Sequence, residues 1–309
     1  MDGAEPVIGW MERAGAWCGS VAAGLGFVLA LGAAPLRAEP ALWVLHDADS
    51  TVYLFGTVHV LRPDTDWLTP RVYDAFEGAD RLWLETDTAP GFGIALPLLR
   101  YGIDWKTALA SRLGPEDTAR LSAIVTAAGM APSTFRHMRP WLVALTLASL
   151  PMTGQGFDAA AGADAMFEQL AGGLKKPIRR LETITQQLRI FADLPPDEEM
   201  AMLREAIDVL WAAREGKHDK GADIGDLVDA WMAGDVDRLG AIVRDDGMAA
   251  SAPLYEALFV RRNREWVKEI KAIMDGAGTD FIAVGAGHLA GDDSVIAGLA
   301  ALGIVAERL

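Results

Sequence analysis

Two short apolar runs constrain this chain more than any other feature. Thr51-Val52-Tyr53-Leu54-Phe55 and Phe281-Ile282-Ala283-Val284 each stop at a glycine, and each carries a histidine three residues past it, His59 and His288. Runs of four or five β-branched, aromatic and aliphatic residues are too short for stable helices and read as buried strands. A glycine where such a strand ends lets the backbone turn, so both histidines are expected at strand exits.

The rest of the chain organises around those strands. Residues 41–45 form a first strand, joined to 51–55 by the turn Asp47-Ala48-Asp49-Ser50, which predicts a hairpin. A short helix over 70–76 precedes Arg81-Leu82-Trp83-Leu84, a buried strand that ends at Glu85, and the strand, helix, strand order predicts a parallel pair. The middle is helical. Leu121, Ile124, Val125 and Ala128 recur at helical spacing behind Pro115-Glu116, with Gly129 as the stop. Helices are also expected over 159–170, along the stripe Met200, Leu203, Ile207, Leu210 and Trp211, and over 224–231, 236–243 and 254–274. Such stripes are read as core packing. Between them, residues 176–181 read as a strand that delivers Glu182. The chain closes with strand 281–284, a helix over 294–302 and a strand over 304–307, a βαβ ending. Neither a repeat nor a long linker intervenes, so residues 39–309 are expected to form a single α/β domain. Its sheet should be central, mixed and largely parallel, flanked by helices, with a large helical middle section.

Residues 14–36 are an uncharged Ala/Gly/Leu-rich run between Arg13 and Arg37-Ala38. This reads as a secretory signal peptide cut after Ala38. The run is also long enough to serve, uncleaved, as an N-terminal membrane anchor. The protein is therefore expected to be exported, periplasmic or extracellular. After Leu36 no uncharged run is long enough for a second span. The lone cysteine, Cys18, lies inside the signal, so the processed form can have no disulfide, thiolate metal site or cysteine nucleophile. A net charge of −15 repels phosphates and sets nucleic acid aside as a partner.

His59, Glu85, Glu182 and His288 each follow directly on an apolar strand. In an open parallel sheet, ligands collect beyond the carboxyl ends of the strands, so four separated segments are expected to converge there. Two imidazoles with one or two carboxylates suit a divalent ion such as Mn, Co, Fe or Zn, and the oxygen ligands tilt the choice toward the harder ions. Without metal, the same set can work as a histidine general base oriented by a carboxylate. Glu182 also precedes a helix, where a carboxylate can simply favour the positive helix end. In Arg261-Arg262-Asn263-Arg264, one arginine turned inward would hold a carboxylate of the site or of a substrate. His46, His137 and His218 lack the glycine and are read as structural or solvated. There is no Gly-x-Ser-x-Gly elbow, phosphate-binding glycine loop or His-Glu-x-x-His helix.

These residues resemble the TraB/GumN family, which includes the Tiki metalloproteases and is related in fold to ChaN-like and erythromycin-esterase-like proteins. The resemblance is carried by Tyr53-Leu54-Phe55-Gly56-Thr57-Val58-His59, Leu84-Glu85, Gly156-Phe157-Asp158, Lys176-Pro177, Leu181-Glu182, Arg262-Asn263 and Val284-Gly285-Ala286-Gly287-His288-Leu289. It implies an α/β core whose two Gly-x-x-His motifs and acidic residue form a Mn- or Co-dependent peptidase site, with a peptide or protein as substrate. By position, His59, Glu85 and His288 inherit the metal and catalytic roles, and Glu182 and Arg262 line the same cleft. A haem-, iron- or peptide-binding module without turnover, and a metal-free esterase-like hydrolase, are the alternatives the same relatives imply.

Overall fold

The computed structural model describes residues 39–86, 92–217, 224–245 and 251–309. The expected signal or anchor, Cys18 and His218 lie outside them. Strand β1 (Leu42–His46) pairs antiparallel with β2 (Ser50–Thr57). Asp47 Oδ1 accepts the N–H groups of Asp49 and Ser50 at 3.1 and 2.7 Å, an Asx turn that reverses the chain. With β3 (Arg81–Leu84), β4 (Ile178–Arg180), β5 (Gly278–Gly285) and β6 (Glu307–Arg308) they form a six-stranded sheet, ordered β4-β3-β5-β2-β1-β6. The β4-β3, β3-β5 and β5-β2 pairs are parallel; β1 and β6 are antiparallel additions at one edge. The mixed, largely parallel sheet expected from the sequence is present, with helices around it.

Two topological expectations need correction. β2 and β3 do run parallel, but β5 lies between them. The reason is burial: residues Asp280 to Gly285 of β5 are all inaccessible, and only a central strand is covered on both faces and both edges. The chain also ends, as expected, in strand, helix and strand, with β6 parallel to β5, but the two are not neighbours. Both neighbours of β5 are already in place, so the last strand crosses to the far edge and pairs antiparallel with β1.

Side chains alternate across the sheet. Phe55, Leu82 and Phe281 pack on one face against Phe76 of helix Pro70–Gly78, Phe167 of helix Ala163–Leu174 and Trp231 of helix Ile224–Met232. Leu54, Ile282 and Val284 pack on the other against Trp266 and Ile270 of helix Arg261–Met274 and Leu299 of helix Val295–Ala301. The middle helices Pro115–Ala127, Pro140–Gly154 and Pro196–Arg214 build a separate apolar cluster around Val125, Leu147, Leu203 and Ile207. Among the described residues no helix is long and apolar enough to cross a membrane.

Two interruptions bear on the site. The helix expected over 159–170 breaks at Gly162, between a 3-10 turn, Ala159–Ala161, and helix Ala163–Leu174. The helix expected over 254–274 contains a π-helical turn, Glu256–Val260, directly before Arg261–Met274. Such turns often mark functional sites.

Candidate active site

The parallel strands end level with one another. Gly56 is in register with Val284 and Thr57 with Gly285, while Leu84 faces Ala283 on one side and Arg180 on the other. Beyond the last pair, the Glu182 N–H donates to the Glu85 carbonyl at 2.8 Å. His59, Glu85, Glu182 and His288 therefore leave the sheet at one end, as expected for ligand-binding residues of a parallel sheet.

Both motif glycines sit at close approaches, Gly56 against backbone and Gly285 against side chains. A Cβ on Gly56 would stand 2.9 Å from Ala286 Cα. A Cβ on Gly285 would stand 3.1 Å from Glu85 Oε1, 3.4 Å from His59 Nε2 and 3.6 Å from His288 Cδ2. Gly285 thus leaves open the space on which three site side chains converge.

His59 is oriented by a residue that sequence reasoning missed. Its Nδ1–H donates to Asp164 Oδ2 at 2.7 Å, and the other Asp164 oxygen accepts the Thr57 hydroxyl. Asp164 is buried in the first turn of helix Ala163–Leu174, whereas 63% of the His59 side chain is exposed. The Asp164 carboxylate holds the imidazolium, so the His59 pKa lies above its ordinary 6.5. Gly162 makes the approach possible, since a Cβ there would fall 2.2 Å from the His59 carbonyl oxygen. The only advance sign of Asp164 was the small-residue run Ala159-Ala160-Ala161-Gly162-Ala163, which lets a helix end abut another backbone.

Glu85 belongs to a buried network centred on Arg262. Glu85 Oε1 accepts the Gly285 N–H at 2.6 Å; Oε2 accepts from Arg262 Nη2 at 2.5 Å and Gln187 Nε2 at 3.2 Å. Arg262 Nε donates to both Glu182 oxygens, at 2.8 and 3.2 Å. Burial alone would raise the Glu85 pKa, but the Arg262 charge and its neighbours bring it to about 2. Glu182 goes the other way, because burial outweighs the help it receives from Arg262. The helix-end reading of Glu182 does not apply: Thr183 caps helix Ile184–Ala192 through a capping box with Gln186.

His288 is a satisfied, buried imidazole. Its Nδ1–H donates to Asn263 Oδ1 at 2.6 Å, which leaves Nε2 to accept from Arg262 Nη1 at 2.9 Å. Trp266 and Phe259 pack on the ring, with centroids 4.4 and 4.9 Å away. Burial pushes the His288 pKa down to about 3, so it is neutral at physiological pH. Of the other histidines, His46 is exposed beside Thr51, and His137 donates to the Asp104 carbonyl and stacks on Trp105.

A cavity of about 230 Å³ opens beside this network, lined by His59, Leu84, Glu85, Thr86, Asp164, Ile184 and Gln187. The Thr86 hydroxyl is buried there without a partner among the described residues. Only His59 and Glu85 of the five expected site residues reach this cavity; Glu182, Arg262 and His288 stand behind Glu85. The expected metal set was His59, Glu85 and His288. As arranged these do not fit a divalent ion, because Glu85 Oε2 and His288 Nε2 both hold the Arg262 guanidinium. Among the described residues no group of three or more His, Cys, Asp or Glu side chains is gathered for a metal.

The sequence is 24% identical to an uncharacterized protein of Treponema pallidum, over 83% of this chain and 79% of that protein. It is 25% identical to the uncharacterized protein YbaP of Escherichia coli, over 83% of this chain and 90% of that one, and equally to YbaP of Shigella flexneri. No solved structure matches it. The model of the TraB/PrgY/gumN family matches residues 41–308, which takes in every strand and every residue of the site, and the chain belongs to that family.

Proposed function

We propose that the chain is an exported hydrolase acting on peptide bonds, with His59 as general base and Asp164 as the group that orients it. The observation that carries this reading is the His59–Asp164 pair. A buried carboxylate, fixed by Thr57, binds Nδ1–H and leaves Nε2 free at a cavity that also contains Glu85. In its neutral form, which grows as pH rises through the elevated pKa, a histidine so held presents a lone pair in one direction and can take a proton from water as it attacks a carbonyl. Glu85, ionised and pinned by Gly285, Gln187 and Arg262, accepts hydrogen bonds and helps keep the imidazolium favourable after proton transfer. Peptides, rather than esters, are the substrate class implied by the resemblance to Tiki-like proteins, and export follows from residues 14–38.

The second reading is a metal-dependent peptidase with Mn or Co on His59, Glu85 and His288. It is favoured by the convergence of those side chains above Gly285, and it requires Arg262 to leave. A peptide library incubated with the full-length protein, His59→Ala and Asp164→Asn, with and without exhaustive chelation, separates the readings. Cleavage that survives chelation and falls about 10²-fold or more in His59→Ala supports the general base. Cleavage abolished by chelation would favour the metal, and cleavage unchanged in His59→Ala would overturn both.

A further inference from the structure

We propose that Arg262 is the resident cation of this site, a fixed guanidinium held where the surrounding donors would otherwise take a divalent ion. Three ligand-type atoms from three strand ends point at it: Glu85 Oε2 at 2.5 Å, Glu182 Oε1 at 2.8 Å and His288 Nε2 at 2.9 Å. Two carboxylates and a neutral imidazole are a common divalent-metal donor set. Here each of those atoms instead accepts an N–H.

The guanidinium is also locked from behind. Its Nη1 donates to the Leu258 carbonyl, inside the π-helical turn, at 3.1 Å, and its carbon lies 4.6 Å from the Trp266 ring centre. Its side chain is only 10% exposed. A dication needs these donors at about 2.0–2.2 Å, a position that overlaps the guanidinium. Arginine does not deprotonate to make way, and expelling it would strip five hydrogen bonds from a buried charge.

The arrangement makes a specific demand on a variant. Shortening Arg262 to alanine leaves Glu85, Glu182 and His288, which meet its Nη2, Nε and Nη1, around the one space that the guanidinium vacates, where a small shift of the three would let them share an ion. That space is reached from a groove of about 540 Å³ lined by Glu182, Arg262, Trp266 and Gln186. His288 is already held in the Nδ1–H tautomer by Asn263, so its Nε2 lone pair is ready to coordinate. The emergent site excludes His59, which faces the other cavity. This inference stands whether or not that cavity is hydrolytic.

The test is a Co(II) titration of untagged full-length protein and of Arg262→Ala, read by visible ligand-field absorption and native mass spectrometry. Wild type is expected to show no band and no bound ion at a few equivalents. Arg262→Ala is expected to take one equivalent, lost again in Arg262→Ala with His288→Asn. Folding of Arg262→Ala only when Co(II) is supplied would equally support the proposal. One equivalent bound by wild type, or a folded Arg262→Ala that binds none, would overturn it. The wild-type arm decides by itself should Arg262→Ala fail to fold in any condition.

Discussion

Replacing Arg262 with methionine keeps most of the side-chain volume and removes the charge, leaving Glu85 and Glu182 facing each other's field in a buried pocket. Breaking a buried ion pair from one side costs about 3–5 kcal/mol. The structure also sets a ceiling. A carboxylate that cannot stay ionised takes a proton instead. From an ordinary pKa of 4.5 this costs about 3.4 kcal/mol per group at pH 7, at 1.36 kcal/mol per pH unit. At pH 5 the same ceiling is about 0.7 kcal/mol per group. In the variant the folded-state pKa values are raised above the unfolded ones, so the penalty is full well above pH 4.5 and fades as pH falls toward it. His288, no longer facing a guanidinium, gains a proton more readily at low pH and pushes in the same direction. Urea unfolding followed by tryptophan fluorescence should therefore give a gap between wild type and Arg262→Met of about 3–5 kcal/mol at pH 7.5 that shrinks severalfold by pH 5. A gap that stays constant across that range, or none at all, would refute the assignment of Arg262 to two buried carboxylates.

Other expectations follow from the same contacts. Gly162→Ala places a methyl group against the His59 carbonyl; the helix must shift, at a cost of about 1–3 kcal/mol by thermal or urea unfolding, and the His59–Asp164 distance should lengthen in a crystal structure. An unchanged stability would show that the approach is looser than described. His288 has its pKa depressed to about 3, so it contributes stability that is complete above pH 6.5 and is lost as pH falls toward 3. His288→Gln should flatten wild-type stability loss between pH 6.5 and 4, and an equal slope in both proteins would contradict the buried neutral imidazole. The free base form of His59 grows as pH rises through its elevated pKa, so hydrolysis should increase from neutral to alkaline pH. In Asp164→Asn that rise should move to lower pH, with a reduced plateau; a profile that does not move would remove Asp164 from its orienting role.

Much of the sheet end was legible because an apolar run that stops at a polar residue leaves that residue at a strand exit, whatever the order of the strands. This located His59, Glu85, Glu182 and His288. Strand order was not legible. Which strand is central depends on how well each one buries both faces, and the insertion of β5 between β2 and β3 brings together residues about 200 apart in sequence. Asp164 was hidden for the same reason, 105 residues from His59 and marked only by the small-residue run before it, which says nothing of its partner. Arg262 carried a readable sign that the arginine run obscured: it shares a helical face with Trp266 and Ile270 at steps of four, so it points inward while Arg261 and Arg264 face solvent. The consequence for the site was not legible at all, since only the assembled geometry shows the guanidinium filling the donors expected to hold a metal.

The most direct test of the account is an NMR pH titration of the imidazoles, with His59 and His288 assigned through His59→Asn and His288→Asn variants. The structure requires the two motif histidines, alike in sequence, to behave oppositely. His59 should titrate above 6.5 and His288 should stay neutral, in its Nδ1–H form, down to the acid limit of the fold. Ordinary titration of both near pH 6.5 would contradict the Asp164 and Arg262 partnerships on which the candidate site rests.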